Sequence, residues 1–89
     1  MTFEELKKEV LSDSETNKEY EAMEPEFQLI LELLRLREQL NLTQQDLADR
    51  TGINRADISK IEHGNANPSL KTMKRLAGAM GKRVQISFV

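Results

Sequence analysis

Leu42-Thr-Gln-Gln-Asp-Leu-Ala-Asp-Arg-Thr-Gly-Ile-Asn-Arg-Ala-Asp-Ile-Ser-Lys-Ile-Glu62 is the stretch whose reading decides the fold. Thr43 suits the N-cap of a first short helix, and Leu47 gives that helix an inward apolar group. Ala48 sits where a larger side chain would hold two helices apart. Gly52 follows directly and permits the positive φ of a tight reversal. Asn54 suits the N-cap of a second helix whose buried face carries Ile58 and Ile61, three residues apart. Ile53 lies between the two helices and should plug the corner.

Two short helices meeting across such a corner specify a helix-turn-helix, a motif whose second helix enters the major groove of DNA. If Ile58 and Ile61 face inward, residues 55, 56, 59 and 60 cannot. Asn54, Arg55, Ala56, Ser59 and Lys60 are therefore expected to face the groove. Arg55 can read guanine O6 and N7 bidentately and Lys60 as a point charge, while Ala56 and the Ser59 hydroxyl suit a thymine methyl or a base edge. The rival for Arg55 and Lys60 is an ordinary solvated helix face. Asp57 would be repelled by phosphate unless it accepts from cytosine N4, and its natural place is at the helix start beside the dipole. Thr43 and Asn67 carry a hydroxyl and an amide for phosphate, with capping and turn formation as their rival roles. Lys71 lies just inside a helix N-terminus, where phosphate is also welcome.

From about Leu34 to Gly81 the chain resembles the helix-turn-helix of the lambdoid-repressor/Cro (XRE) superfamily. The spacing Gln-x-x-Leu-Ala…Gly-Ile…Ile-Ser-Lys-Ile-Glu-x-Gly carries that resemblance, continued by Ile61-Glu-His-Gly-Asn-Ala-Asn-Pro-Ser-Leu70 and Leu76-Ala-Gly-Ala-Met-Gly81. It implies that Gln44 donates to a phosphate while braced against the recognition helix. It also implies that Arg37 and Glu62 form a partly buried ion pair between the first core helix and the end of the recognition helix. The implied fold is all-α: a five-helix repressor-like domain over residues 26–81, a helical extension over residues 1–25 and one β-strand over residues 82–89.

Outward from the motif, periodicity places the remaining elements. Thr2-x-x-Glu5 and Ser12-x-x-Glu15 are two capping boxes, so a first helix should end near Leu11. Phe3, Leu6 and Val10 line its apolar side, and Tyr20, Met23 and Phe27 line the next stripe, broken around Glu24-Pro25. A long helix from about Glu26 to Leu40 carries Phe27, Leu29, Ile30, Leu31, Leu33, Leu34, Leu36 and Leu40. These surround most of its circumference, so it needs cover on more than one side. That cover is either the N-terminal residues 3–23 or another protein. Ser69 should cap a last helix that Gly81 ends. The tail alternates Val84, Ile86 and Phe88 against Arg83, Gln85 and Ser87, the period of a strand. One strand cannot satisfy its own backbone, so the expected solution is antiparallel pairing with the tail of a second copy. Dimerisation through Leu76 and Met80 of the last helix, as phage repressors tend to do, is the alternative.

With 38% hydrophobic and 31% charged residues, the 89-residue chain has the makeup of a small soluble domain. It lacks cysteine, which excludes a disulfide framework and fits a reducing cytoplasm. His63 is its one histidine, so neither the usual zinc site nor a catalytic constellation is legible, and no cofactor, metal or enzymatic activity is expected. No apolar run is long enough to span a bilayer. The formal charge of −2 conceals a split: residues 1–26 hold three Lys against nine acids, and residues 27–89 hold ten Lys and Arg against six. The basic part suits DNA; the acidic part suits a basic protein, or simply solubility.

The whole chain resembles the HigA-type antitoxins, through Glu19-Tyr-Glu-Ala-Met-Glu-Pro25, the Leu-rich helix and the tail Arg83-Val-Gln-Ile-Ser87. That resemblance implies a homodimer on a palindromic operator and a second partner, a small basic RelE/HigB-like ribonuclease toxin. Phe3, Leu6, Val10, Tyr20, Met23, Leu29 and Leu36 would give such an interface its apolar centre. The alternative is a free-standing homodimeric repressor without a toxin.

Overall fold

The computed structural model describes residues 3–12 and 24–88, and five helices lie within them. They are α1 (Phe3–Ser12), α2 (Pro25–Gln39), α3 (Gln44–Thr51), α4 (Arg55–Glu62) and α5 (Leu70–Ala79). Tyr20, Met23 and the second capping box fall outside the described residues, as do the side chains of Leu6 and Val10.

Each helix boundary has a local cause. Pro25 opens α2 at a position whose N–H would be unpaired anyway. The α2 end turns on Asn41, whose φ of 57° lets the Asn41 and Leu42 amides reach back to the Glu38 and Arg37 carbonyls. Thr43 caps α3 by accepting from the Asp46 amide at 3.0 Å, while Asp46 accepts the Thr43 amide at 2.9 Å. This reciprocal box satisfies two donors that the first turn leaves open. Gly52, at φ 76°, ends α3 and makes the reversal. Asn54 then caps α4, accepting the Ala56 amide at 2.7 Å. Ser69 caps α5 by accepting from Thr72, and Gly81 turns the chain out of it.

The core forms where these helices converge. Ile30 and Leu33 of α2, Leu47 and Ala48 of α3, Ile58 and Ile61 of α4, and Met73, Leu76, Ala77 and Met80 at α5 form one buried cluster. Ile53 packs against it at the corner, as the sequence predicts. α3 packs against both α4 and α5, α2 packs against α4, and α1 packs against α2. Leu31 and Leu34 are also buried but lie outside that cluster, so α2 is covered on a second side. Truncating a fully buried aliphatic such as Ile58 would cost about 2–5 kcal/mol, a large share of the stability of so small a core.

Three expectations need correction. Among the described residues, four helices rather than five fall within 26–81, and the fifth is N-terminal. His63 to Ser69 form the loop between α4 and α5. Residues 82–88 form no strand, and no strand occurs elsewhere among the described residues to supply a ladder partner. Alternation without a partner edge leaves Ile86 and Phe88 exposed and only Val84 half-buried. Leu76 and Met80, the alternative dimer contact, are spent in the core of the single chain at 2% and 5% exposure.

Candidate nucleic-acid interface

The recognition helix α4 is only eight residues long, too short to hold its shape in water without anchors. Its inward side carries Ile58, Ile61 and Glu62, all buried. Its outward side presents Arg55, Ala56, Asp57 and Lys60, with Ser59 half-buried at the margin. Ile58 and Ile61 face inward and Arg55, Ala56 and Lys60 are exposed, as the apolar spacing implies, whereas Ser59 is half-buried and Asp57 shares the exposed face.

Glu62 is the one buried charged residue among those described, at 4% exposure. Arg37 meets it with two donors, Nε to Oε2 at 2.6 Å and Nη2 to Oε1 at 2.9 Å. A third Arg37 nitrogen donates to the Leu42 carbonyl at 2.8 Å, which fixes the guanidinium plane. Gln44 adds a fourth bond to the cluster, its amide nitrogen donating to Glu62 Oε1 at 2.9 Å. The bidentate fork and the extra donor are what a buried carboxylate requires. The implied bracing of Gln44 therefore runs through Glu62. An amide nitrogen carries two hydrogens, so the second remains for a phosphate.

The other site residues sit around this frame. Asn54 and Arg55 begin α4 and are exposed. The cap uses the Asn54 side-chain oxygen and leaves its NH2 for a partner. Lys60, Asn54 and Asn67 line one open groove of 570 Å³, shared with Thr72 and Arg75. Arg55 and Ala56 open instead onto the neighbouring groove along α3. Thr43 and Lys71 are exposed at the starts of α3 and α5. His63 is exposed, and its Nδ1 lies 2.6 Å from the Ser59 carbonyl, so it closes the last turn of α4.

The Asp46 carboxyl is held in its charged form by the cap. The Thr43 amide, then the Thr43 hydroxyl contact, hold its carboxyl below the usual range, with Arg50 adding a smaller pull in the same direction. Sequence reasoning places Thr43 at the cap and misses Asp46 as its reciprocal partner, although Thr-x-x-Asp is a visible spacing. It also misses Lys7, whose amine donates to the Glu62 carbonyl at 3.1 Å; no local pattern links residues 55 positions apart. Arg75 escapes it too, because its place depends on the α4–α5 groove.

Phe3 and Leu36 of the expected toxin-facing set are half-buried and pack against the core, whereas Leu29 is exposed. Among the described residues no group of three acidic, His or Cys side chains could hold a metal ion, and no helix is long and apolar enough to cross a membrane.

Known proteins share sequence with more than half of the chain. An uncharacterized helix-turn-helix-type transcriptional regulator of Haemophilus influenzae is 38% identical over 58 residues, covering 65% of this chain and 59% of that protein. One from Methanocaldococcus jannaschii is 41% identical over 49 residues, 55% of this chain and 74% of the relative. The immunity repressor protein of Bacillus phage phi105 is 37% identical over 54 residues, 61% of this chain but only 36% of the repressor. No solved structure matches the chain. Residues 33–86, more than half of its length, match the helix-turn-helix family as a unit, and the chain belongs to that family.

Proposed function

We propose that this chain is a sequence-specific DNA-binding repressor of transcription that acts as a homodimer. The observation that carries the reading is α4 itself. Its inward face is pinned by Ile58, Ile61 and the Arg37–Glu62–Gln44 cluster, while Arg55 and Lys60 stand outward on the exposed face. Phosphate contacts from Thr43, Gln44, Asn67 and Lys71 would set the register, and Asn54, Arg55, Ala56, Ser59 and Lys60 would read bases. The regulator and repressor descriptions of its relatives support the same role.

Selection of bound duplexes from a random pool tests it. Two-fold symmetry predicts a pseudo-palindrome with half-sites about one helical turn apart. Bound duplexes with no shared sequence, and an affinity that follows salt alone, would reject sequence-specific recognition.

A second reading is favoured by the charge split: the chain also neutralises a small basic ribonuclease as an antitoxin. A segment at −6 within residues 1–26 would steer and hold a cationic RNA-gripping protein, and exposed Leu29 offers apolar surface beside it. The test is co-expression with the product of the neighbouring small open reading frame. Co-purification and restored growth support the antitoxin role, and failure of both leaves the repressor alone.

A further inference from the structure

The N-terminal helix makes contacts to the end of the recognition helix. Phe3 lies over Gly64, just past the recognition helix, so closely that a Cβ on Gly64 would stand 2.5 Å from its ring. The same ring stacks at 43° on Phe27 of α2, with centroids 4.8 Å apart. One turn along, Lys7 reaches the Glu62 carbonyl at 3.1 Å while holding Glu4 at 3.0 Å, and its side chain is only 15% exposed. The amine also lies 5.9 Å from the centre of the Phe3 ring.

Glu62 is therefore tied from three helices. Its carboxylate is held by Arg37 of α2 and Gln44 of α3, and its main-chain oxygen by Lys7 of α1. That oxygen is one of the last carbonyls of α4, which the helix cannot satisfy internally. A cation at this end also opposes the negative pole of the helix. The chain leaves α4 through Gly64 at φ 75°, with the Gly64 and Asn65 amides returned to the Ile61 and Lys60 carbonyls. Phe3 covers that reversal.

We infer that Phe3 and Lys7 are positioning residues for the recognition helix: α1 is a strap across its C-terminal end, and the strapped form is the form that binds DNA. The inference rests on the DNA-binding reading. Ser59 and Lys60 lie in the last turn of α4, within three residues of the strapped carbonyl, so loosening Glu62 misplaces groove-facing groups directly. A protein that captures the Phe3 face of α1 must first undo the strap. By linkage it lowers DNA affinity by the factor by which DNA lowers its own.

The test uses the full chain with Phe3→Ala, Lys7→Met and Lys7→Arg. Hydrogen exchange is followed at the amides of His63, Gly64 and Asn65, and affinity is measured for a selected duplex. Phe3→Ala and Lys7→Met should speed exchange about three- to tenfold, the worth of roughly one net hydrogen bond. Affinity should fall by a similar factor for every bound sequence, and Lys7→Arg, which keeps a donor, should restore both. Added duplex should slow exchange along α1. If Phe3→Ala fails to fold, Lys7→Met decides, since it keeps the aliphatic stem. Unchanged exchange at residues 63–65 overturns the strap, and faster exchange with unchanged affinity overturns its link to DNA. A wild-type chain that selects no duplex removes the repressor reading instead, while exchange still reports whether α1 braces α4.

Discussion

Removing Arg37 should unfold much of the recognition apparatus, because it leaves the Glu62 carboxylate buried with a single neutral donor. At 4% exposure Glu62 cannot recover its lost hydration by turning outward, and Gln44 at 2.9 Å is the donor that stays with it. Breaking a buried, hydrogen-bonded pair from one side costs about 3–5 kcal/mol. A chain this size has of order 4–13 kcal/mol to lose, so Arg37→Met takes about a quarter of it or more. The melting temperature should fall by more than about 12 °C. Removing both partners together, as Arg37→Met with Glu62→Met, should recover part of the loss, since the apolar pair no longer buries a charge. Urea melts of the four proteins give the coupling energy directly. A value near 2 kcal/mol or above supports the buried pair, whereas one inside the roughly 0.2–1 kcal/mol range of surface pairs would show that the cluster is solvated and that Glu62 does not anchor α4.

Arg55→Ala should cost about 1–3 kcal/mol in duplex affinity and relax the base preference at one position per half-site, read from a repeated selection; an unchanged consensus would move Arg55 off the groove. Asp46 has a depressed folded pKa, so its capping contribution is complete above the unfolded value near pH 4 and is lost as pH falls through the folded one. Asp46→Asn should therefore flatten the acid limb of the stability curve below about pH 4, and an unaltered limb would refute the box. Gly52→Ala and Gly64→Ala both force a left-handed residue at about 1–2 kcal/mol, but only the second meets the Phe3 ring. Their difference should vanish in a Phe3→Ala background, which thermal melts can check.

How much of the fold and site is legible in the sequence depends on whether the cause is local. Thr43, Gly52, Asn54 and Ser69 act within three or four residues of themselves, so the caps and the reversal can be read from residue order alone. The inward–outward split of α4 follows from Ile58 and Ile61. The Arg37–Glu62 pair is reached only through resemblance, since no spacing rule joins residues 25 apart. The tail misleads because alternation states what a strand would need, not whether a second edge exists to meet it. Leu76 and Met80 fit a partner's surface and a core equally well by helix period, and the core takes them. Phe3 carries the same ambiguity: apolar spacing cannot distinguish a docking surface from a seat against Gly64.

That last ambiguity bears on how the two proposed partners relate. Residues 1–26 are net acidic and residues 27–89 net basic, yet Lys7 and Phe3 connect the two parts. Within the strap Lys7 satisfies the carbonyl end of α4, so the recognition helix depends on an element that carries three glutamates against two lysines. Charge alone would push that element away from DNA, and the structure meets this by docking α1 at the C-terminal end of α4, opposite the end that carries Asn54 and Arg55. A basic protein drawn to Glu4 and Glu5 of α1 arrives beside the strap rather than at the groove. Its effect on DNA affinity would then be set by whether it needs the Phe3 face, not by competition for phosphate. A partner held by the acids alone leaves α4 in place, whereas one that takes Phe3 loosens it.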